Sequence, residues 1–154
     1  DFAGRPNRET IDCDVVAETD VMLCCFRRKP FETLIEDTPH VGQRLLEMTL
    51  DELDAAREWM LVLGRKTARE KIASLLHMIA VRMASLKPGE TAEVSFTLPI
   101  TRETMANYLG LTIETVSRQM SALKKEGFIA FDDRRDIRVP DLEALKAETG
   151  EDGF

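Results

Sequence analysis

The chain has 154 residues, 44% of them apolar and 32% charged, with a formal net charge of −7. This balance fits a folded protein and excludes a disordered or collagen-like chain, while no apolar run approaches the roughly 20 residues that a membrane helix needs. The acidic sum argues against indiscriminate coating of nucleic acid, but the charge is uneven: residues 1–97 carry −4, residues 98–140 carry +1 and residues 141–154 carry −4. The middle stretch is therefore the candidate for an anionic partner.

The first residues, Asp1-Phe2-Ala3-Gly4-Arg5-Pro6, lack a basic-then-apolar leader, which predicts a cytoplasmic protein. With no initiating Met, Asp1 reads as the middle of a longer chain. The three cysteines, Cys13, Cys24 and Cys25, are too few for a disulfide scaffold, and adjacent Cys24 and Cys25 would form a strained ring. No zinc-finger spacing joins them to His40 or His77, so no metal site is expected in this chain.

Residues 13–28 show partial alternation at Val15, Ala17, Val21, Leu23 and Cys25, with Glu18-Thr19-Asp20 as a turn, and predict two short strands. Such a pair is not stable alone, so residues 1–38 read as the end of a larger β domain. Lys29-Pro30-Phe31 opens a short helix with Phe31, Leu34 and Ile35 on its apolar face. A long helix follows from Pro39 to about Leu63. Leu46, Thr49, Leu53, Ala56, Met60 and Leu63 recur at steps of three and four, a heptad seam among mixed charges. This predicts a dimer contact; the competing reading is a helix packed on its own domain. Leu45, Leu50, Trp59 and Leu61 lie off the seam and could pack against the β domain. Gly64 interrupts the pattern and marks the expected boundary, with 39–64 as dimerisation helix and 65–154 as the next domain.

Thr67 can cap a helix over Ala68 to about Ala84, with Glu70 near its positive end and Ile72, Leu75, Leu76, Ile79 and Met83 as a wide core face. Val94, Phe96 and Leu98 predict a strand. Thr101 caps a short helix with Met105, Ala106 and Leu109 inward; Gly110 ends it and Leu111 plugs the turn. Thr112 caps a second helix, where Val116, Met120 and Leu123 face the core and Glu114, Thr115, Ser117, Arg118 and Ser121 point outward. Two helices around a glycine turn, the second polar outside, make a helix-turn-helix. Gly127–Phe131 and Asp136–Val139, joined by Asp132-Asp133-Arg134-Arg135, predict a hairpin wing. Tyr108 and Phe128 are expected to be buried, and the tail from Asp141 carries a short helical pattern at Leu142 and Leu145.

The exposed face suits base reading. Arg118 can donate two parallel hydrogen bonds to guanine, Glu114 can accept from cytosine N4, and Ser117 is short enough to approach a thymine methyl. An isolated Glu114–Arg118 pair would be an ordinary surface contact worth a few tenths of a kcal/mol; the helix-turn-helix around it gives it the other meaning. Thr101, Arg102, Thr112, Thr115, Ser121, Lys124, Lys125, Arg134, Arg135 and Arg138 are candidates for other contacts to DNA, chiefly phosphate.

The run Thr101-Arg102, Ala106, Leu109-Gly110, Thr112, Ser117-Arg118 and Leu123 resembles the Crp/Fnr family of transcription regulators. That resemblance implies an α+β architecture: a sensory β-roll, here a C-terminal remnant, then a long dimerisation helix and a C-terminal winged helix-turn-helix. Glu114-x-x-Ser117-Arg118 is similar to the Fnr-type recognition signature. It implies a homodimer reading a TTGAT-N4-ATCAA-like palindrome, with Arg118 on the G·C pair, Glu114 on its cytosine and Ser117 on a neighbouring thymine. The stretch from Cys24 through Glu32, with Trp59 and Lys66, resembles anaerobic regulators of α-proteobacteria, which implies a transcription activator responding to low oxygen, with RNA polymerase as a further partner. Oxygen-sensing members hold a [4Fe–4S] cluster on four cysteines; Cys24 or Cys25 matches the region of the fourth ligand in an intact parent. Four thiolates are needed, so this chain alone is expected to carry no cofactor.

Two other readings exist. A thiol redox enzyme would use Cys24-Cys25, but the chain lacks C-x-x-C, a phosphate loop, a Ser-His-Asp set and metal-ligand spacing, so no catalytic residue is expected. A winged helix can also bind protein or RNA, although RNA readers usually expose stacking aromatics.

Overall fold

The computed structural model describes residues 16–17, 20–84, 93–131 and 135–150. Within these, the elements in chain order are α1 (Arg28–Asp37), α2 (Pro39–Arg65), α3 (Ala68–Ala84), β1 (Val94–Thr97), α4 (Arg102–Leu109), α5 (Ile113–Lys125), β2 (Asp136–Val139) and α6 (Leu142–Ala147). The chain divides into two compact units, Asp1–Arg57 and Glu58–Phe154.

In the first unit, residues 20–27 form no strand, contrary to the alternation in the sequence. A strand is held by hydrogen bonds to a neighbour, and no neighbouring strand lies among the described residues of this unit; Val21, Met22, Leu23 and Phe26 are exposed. Cys13, Asp14, Val15, Glu18 and Thr19 lie outside the described residues. α1 forms as expected, with an Arg28–Glu32 ion pair of 2.7 Å one turn apart, but none of its side chains is fully buried.

α2 begins at Pro39, where the missing N–H costs nothing. All six seam residues are exposed in the single chain, Leu46 at 60% and Met60 at 65%. Gly64 does not end the helix, which runs on to Arg65. One interior glycine costs only about 1 kcal/mol, less than the helix gains by burying Val62 next door.

The second unit is built on α3. Its start is a reciprocal cap: the Glu70 carboxylate accepts the Thr67 N–H at 2.7 Å, and the Thr67 hydroxyl accepts the Glu70 N–H at 3.4 Å. The Thr67 N–H holds the Glu70 carboxyl below its ordinary range. Ile72, Leu75, Leu76 and Ile79 are buried as the periodicity predicts, whereas Met83 is 57% exposed, so the core face stops one turn early. β1 and β2 pair antiparallel with Val94 opposite Val139 and Phe96 opposite Ile137; these four are buried, and the alternate residues Ser95, Thr97, Asp136 and Arg138 face outward. The expected first wing strand, Gly127–Phe131, shrinks to one bridge, Ala130 with Arg138. The strand partner of β2 is β1, which leaves Ala130 on the opposite edge of β2 with two backbone hydrogen bonds of 2.7 and 2.8 Å.

Arg69 on α3 ties three segments together. Its Nη1 and Nη2 donate to both oxygens of Glu126, at 3.1 and 2.6 Å, and its Nε donates to Glu148 at 2.5 Å. Glu126 caps the end of α5 and Glu148 the end of α6. The guanidinium also lies 5.5 Å from the Phe128 ring centroid. The paired carboxylates raise the Arg69 pKa, and the guanidinium holds the Glu126 carboxyl below its ordinary range.

Candidate nucleic-acid interface

The candidate surface is assembled by two capped helices and a glycine. Thr101 accepts the Thr104 N–H at 3.1 Å and starts α4; Thr112 accepts the Thr115 N–H at 3.2 Å and starts α5. Gly110, between them, has φ 63° and ψ 40°, a left-handed conformation that an L side chain rarely adopts. Its neighbour Leu111 packs on the core and donates its N–H to the Ala106 carbonyl at 2.9 Å. Met105, Ala106 and Leu109 on α4, and Val116, Met120 and Leu123 on α5, are all buried. The small side chain of Ala106 suits the close crossing of the two helices.

Burying one face of α5 fixes what the other presents. Glu114, Ser117, Arg118 and Ser121 are exposed and Thr115 is half-buried. Among the described residues Glu114 and Arg118 form no ion pair with each other, although they stand one turn apart. The Glu114 carboxyl is instead held below its ordinary range by its own backbone N–H and the Thr112 hydroxyl. It is an exposed acceptor in the first turn of α5, with Arg118 an exposed fork of donors one turn later. The Ser121 hydroxyl donates inward to the Ser117 carbonyl at 2.8 Å.

The expected phosphate cations are not alike. Lys125, Arg135 and Arg138 are exposed, with Arg138 3.6 Å from Glu93; Arg134 lies outside the described residues. Arg102 and Lys124 converge on one ring. Lys124 Nζ sits 4.3 Å from the Phe131 centroid and donates to the Phe131 carbonyl at 2.5 Å. The Arg102 guanidinium lies 5.5 Å from the same centroid, and its Nη1 is buried without a hydrogen bond. Burial lowers the Arg102 pKa from its ordinary value. These two cations hold Phe131, the residue that follows the bridge at Ala130.

Two further placements differ from the sequence reading. Tyr108 is 49% exposed rather than buried, while Phe128 is half-buried as part of the core margin. Trp59 packs on the core of the second unit and meets Tyr108 edge-on, not a β domain. The sequence reading also passed over Ile113. Its step of three from Val116 places it on the core stripe, yet at the first position of α5 it is 46% exposed, one turn before Ser117.

Cys24 and Cys25 are both exposed and unbridged. With three cysteines in the whole sequence, this chain cannot supply the four thiolates of a cluster, and no group of three or more metal-binding side chains occurs among the described residues. No helix of the described residues is long and apolar enough to cross a membrane.

A helix-turn-helix with a polar second helix, followed by a segment bridged to β2 at Ala130, has the form of a winged-helix domain. Residues 70–148 match the Crp-like helix-turn-helix domain model, and the chain belongs to the Crp/Fnr family, whose members are non-enzymatic DNA-binding regulators. It is 65% identical over 153 residues to the transcriptional activator protein FnrL of Cereibacter sphaeroides, covering 99% of this chain and 62% of that protein. It is 39% identical over 132 residues to the nitrogen fixation regulation protein FixK of Bradyrhizobium diazoefficiens, covering 84% and 54%. Among solved structures, FixK2 from Bradyrhizobium japonicum matches with a TM-score of 0.69 and 33% identity, covering 82% of this chain and 60% of that one. The chain thus spans about three-fifths of the length of FnrL.

Proposed function

We propose that this chain is the DNA-reading and dimerising part of an Fnr-type transcription activator, and that it binds a TTGAT-N4-ATCAA-like palindrome as a homodimer. One observation carries the reading: α5 buries Val116, Met120 and Leu123 while Glu114, Ser117 and Arg118 stand exposed from its other face, the acid and the base unpaired. Such groups suit base edges. Arg118 donates to guanine O6 and N7, Glu114 accepts from the paired cytosine, and Ser117 approaches a thymine. Ile113 adds an apolar contact to a thymine methyl. Thr101, Thr112, Thr115 and Ser121, with Lys125 and Arg135 at the flanks, contact phosphates. Arg102 and Lys124 hold the wing against the backbone.

The exposed seam from Leu46 to Leu63 pairs two copies and sets their α5 helices about 34 Å apart, one turn of DNA. Residues 1–38 form the end of a sensory domain, and 65–154 the reading domain. An activator role, RNA polymerase as partner and a low-oxygen signal follow from the likeness to FnrL and FixK. An iron–sulfur cluster, in a longer parent, would draw one thiolate from Cys24 or Cys25 and the others from outside this chain.

The test is fluorescence anisotropy of a labelled TTGAT-N4-ATCAA duplex beside one with its G·C pairs exchanged, at one fixed salt concentration. Clear preference for the first duplex supports the reading. Equal, salt-sensitive binding to both leaves a DNA-binding winged helix and removes the roles of Glu114, Ser117 and Arg118.

A further inference from the structure

α2 ends inside the second unit. Its last two turns pack on that unit's core through Trp59, and Val62, three residues later on the same face, is buried. The indole of Trp59 meets the ring of Tyr108 with centroids 5.0 Å apart and planes at 74°. Tyr108 sits on α4, two residues before the left-handed Gly110 that turns the chain into α5. The last two seam positions, Met60 and Leu63, immediately follow Trp59 and Val62 in sequence, and both are exposed. The same two turns therefore carry two jobs: one face grips the helix-turn-helix, the other is offered to a second copy.

Val62 alone would act as a pivot. Trp59 supplies a second point of support, and an edge-to-face pair constrains angle as well as distance. Tyr108 is half exposed, so its ring belongs to the surface of α4 and not to the core beneath it.

We propose that the Trp59–Tyr108 contact is a positioning device: it sets the angle between the pairing face at Met60 and Leu63 and the reading helix α5, and so fixes the half-site spacing that the dimer accepts. The proposal rests on the dimeric reading above. One base pair added to the spacer moves a half-site by about 3.4 Å and turns it by about 35°. A rigid mount cannot follow that change, whereas a mount pivoting on Val62 can.

The experiment uses the 154-residue chain and four duplexes: the palindrome with spacers of three, four and five base pairs, and a single half-site. The wild type is expected to prefer the four-base-pair spacer by roughly tenfold or more. Tyr108→Ala and Trp59→Ala are expected to cut that ratio to about threefold or less while half-site binding stays unchanged. Trp59→Phe, which keeps an aromatic edge, should restore the ratio. Because Trp59 is the only tryptophan, its emission reports the contact directly and should shift in Tyr108→Ala. Tyr108→Ala, a surface change, carries the test where Trp59→Ala fails to fold. Variants that keep the wild-type ratio overturn the positioning role and leave the dimer standing. An equal loss on all four duplexes, half-site included, assigns the pair a structural role only and also overturns it. A wild type indifferent to spacing overturns both readings at once.

Discussion

A guanidinium with nothing to hold is uncommon on a helix where a carboxylate stands one turn earlier. In α5 Glu114 and Arg118 both stand exposed and form no ion pair with each other, which leaves the Arg118 fork open to solvent. Arg118→Ala should therefore cost about 1–3 kcal/mol of binding and relax selectivity at the G·C pair; anisotropy against the four base-pair variants at that position measures it. Uniform weakening across all sequences would reassign Arg118 to phosphate. At Gly110 the demand is conformational. A Cβ there meets nothing within 4 Å, so Gly110→Ala carries no clash and pays only for φ 63°. Thermal or urea unfolding should show a loss of about 1–2 kcal/mol, with Gly110→Asn losing less.

At the scale of elements, what could be read from the sequence was what neighbours in the chain decide. The threonine caps at Thr101 and Thr112, the glycine between them and the buried triad Val116, Met120 and Leu123 follow from spacing and local hydrogen bonding. The errors share one cause, a partner distant in sequence. Val21 and Leu23 alternate like a strand but have no ladder among the described residues. Gly127–Phe131 reads as a strand, yet β2 takes its partner from β1 and leaves Ala130 a single bridge. Tyr108 reads as buried because nothing local reveals that a residue on α2 will cover only its edge. The exposed face of α5, with Glu114, Ser117 and Arg118, was legible for the same reason as its core: fixing one face of a helix fixes the other. The seam on α2 offers a prediction at this scale. Leu53 is 43% exposed in the single chain, so Leu53→Glu should leave the fold of each chain, read by circular dichroism, unchanged. It should lower the sedimentation coefficient to that of a monomer and weaken palindrome binding; an unchanged coefficient removes the seam from the dimer contact.

At the scale of the molecule, the Arg69 cluster joins the ends of α5 and α6 to the start of α3. Arg69 holds the Glu126 carboxyl below its ordinary 4.5, so the contact adds stability that is complete above that value. The stability is lost as pH falls through the depressed folded value. Melting temperatures of wild type and Glu126→Gln, followed from pH 6 to pH 3, should differ most at the upper end and converge at the lower. A gap that persists at pH 3 would mean that the carboxylate charge is not what matters. The cluster also has a consequence in time. Arg69 and Glu148 are 79 residues apart, and a ribosome adding about 5–20 residues per second needs roughly 4–16 seconds to bridge that interval. Only over its last 23 residues, from the end of α5 at Lys125 to Glu148 and about 1–5 seconds at that rate, does the nascent chain contain α5 without the helix that Arg69 fastens beside it. Complete closure of the second unit around Arg69 therefore waits until α6 has been made, well after the helix-turn-helix itself.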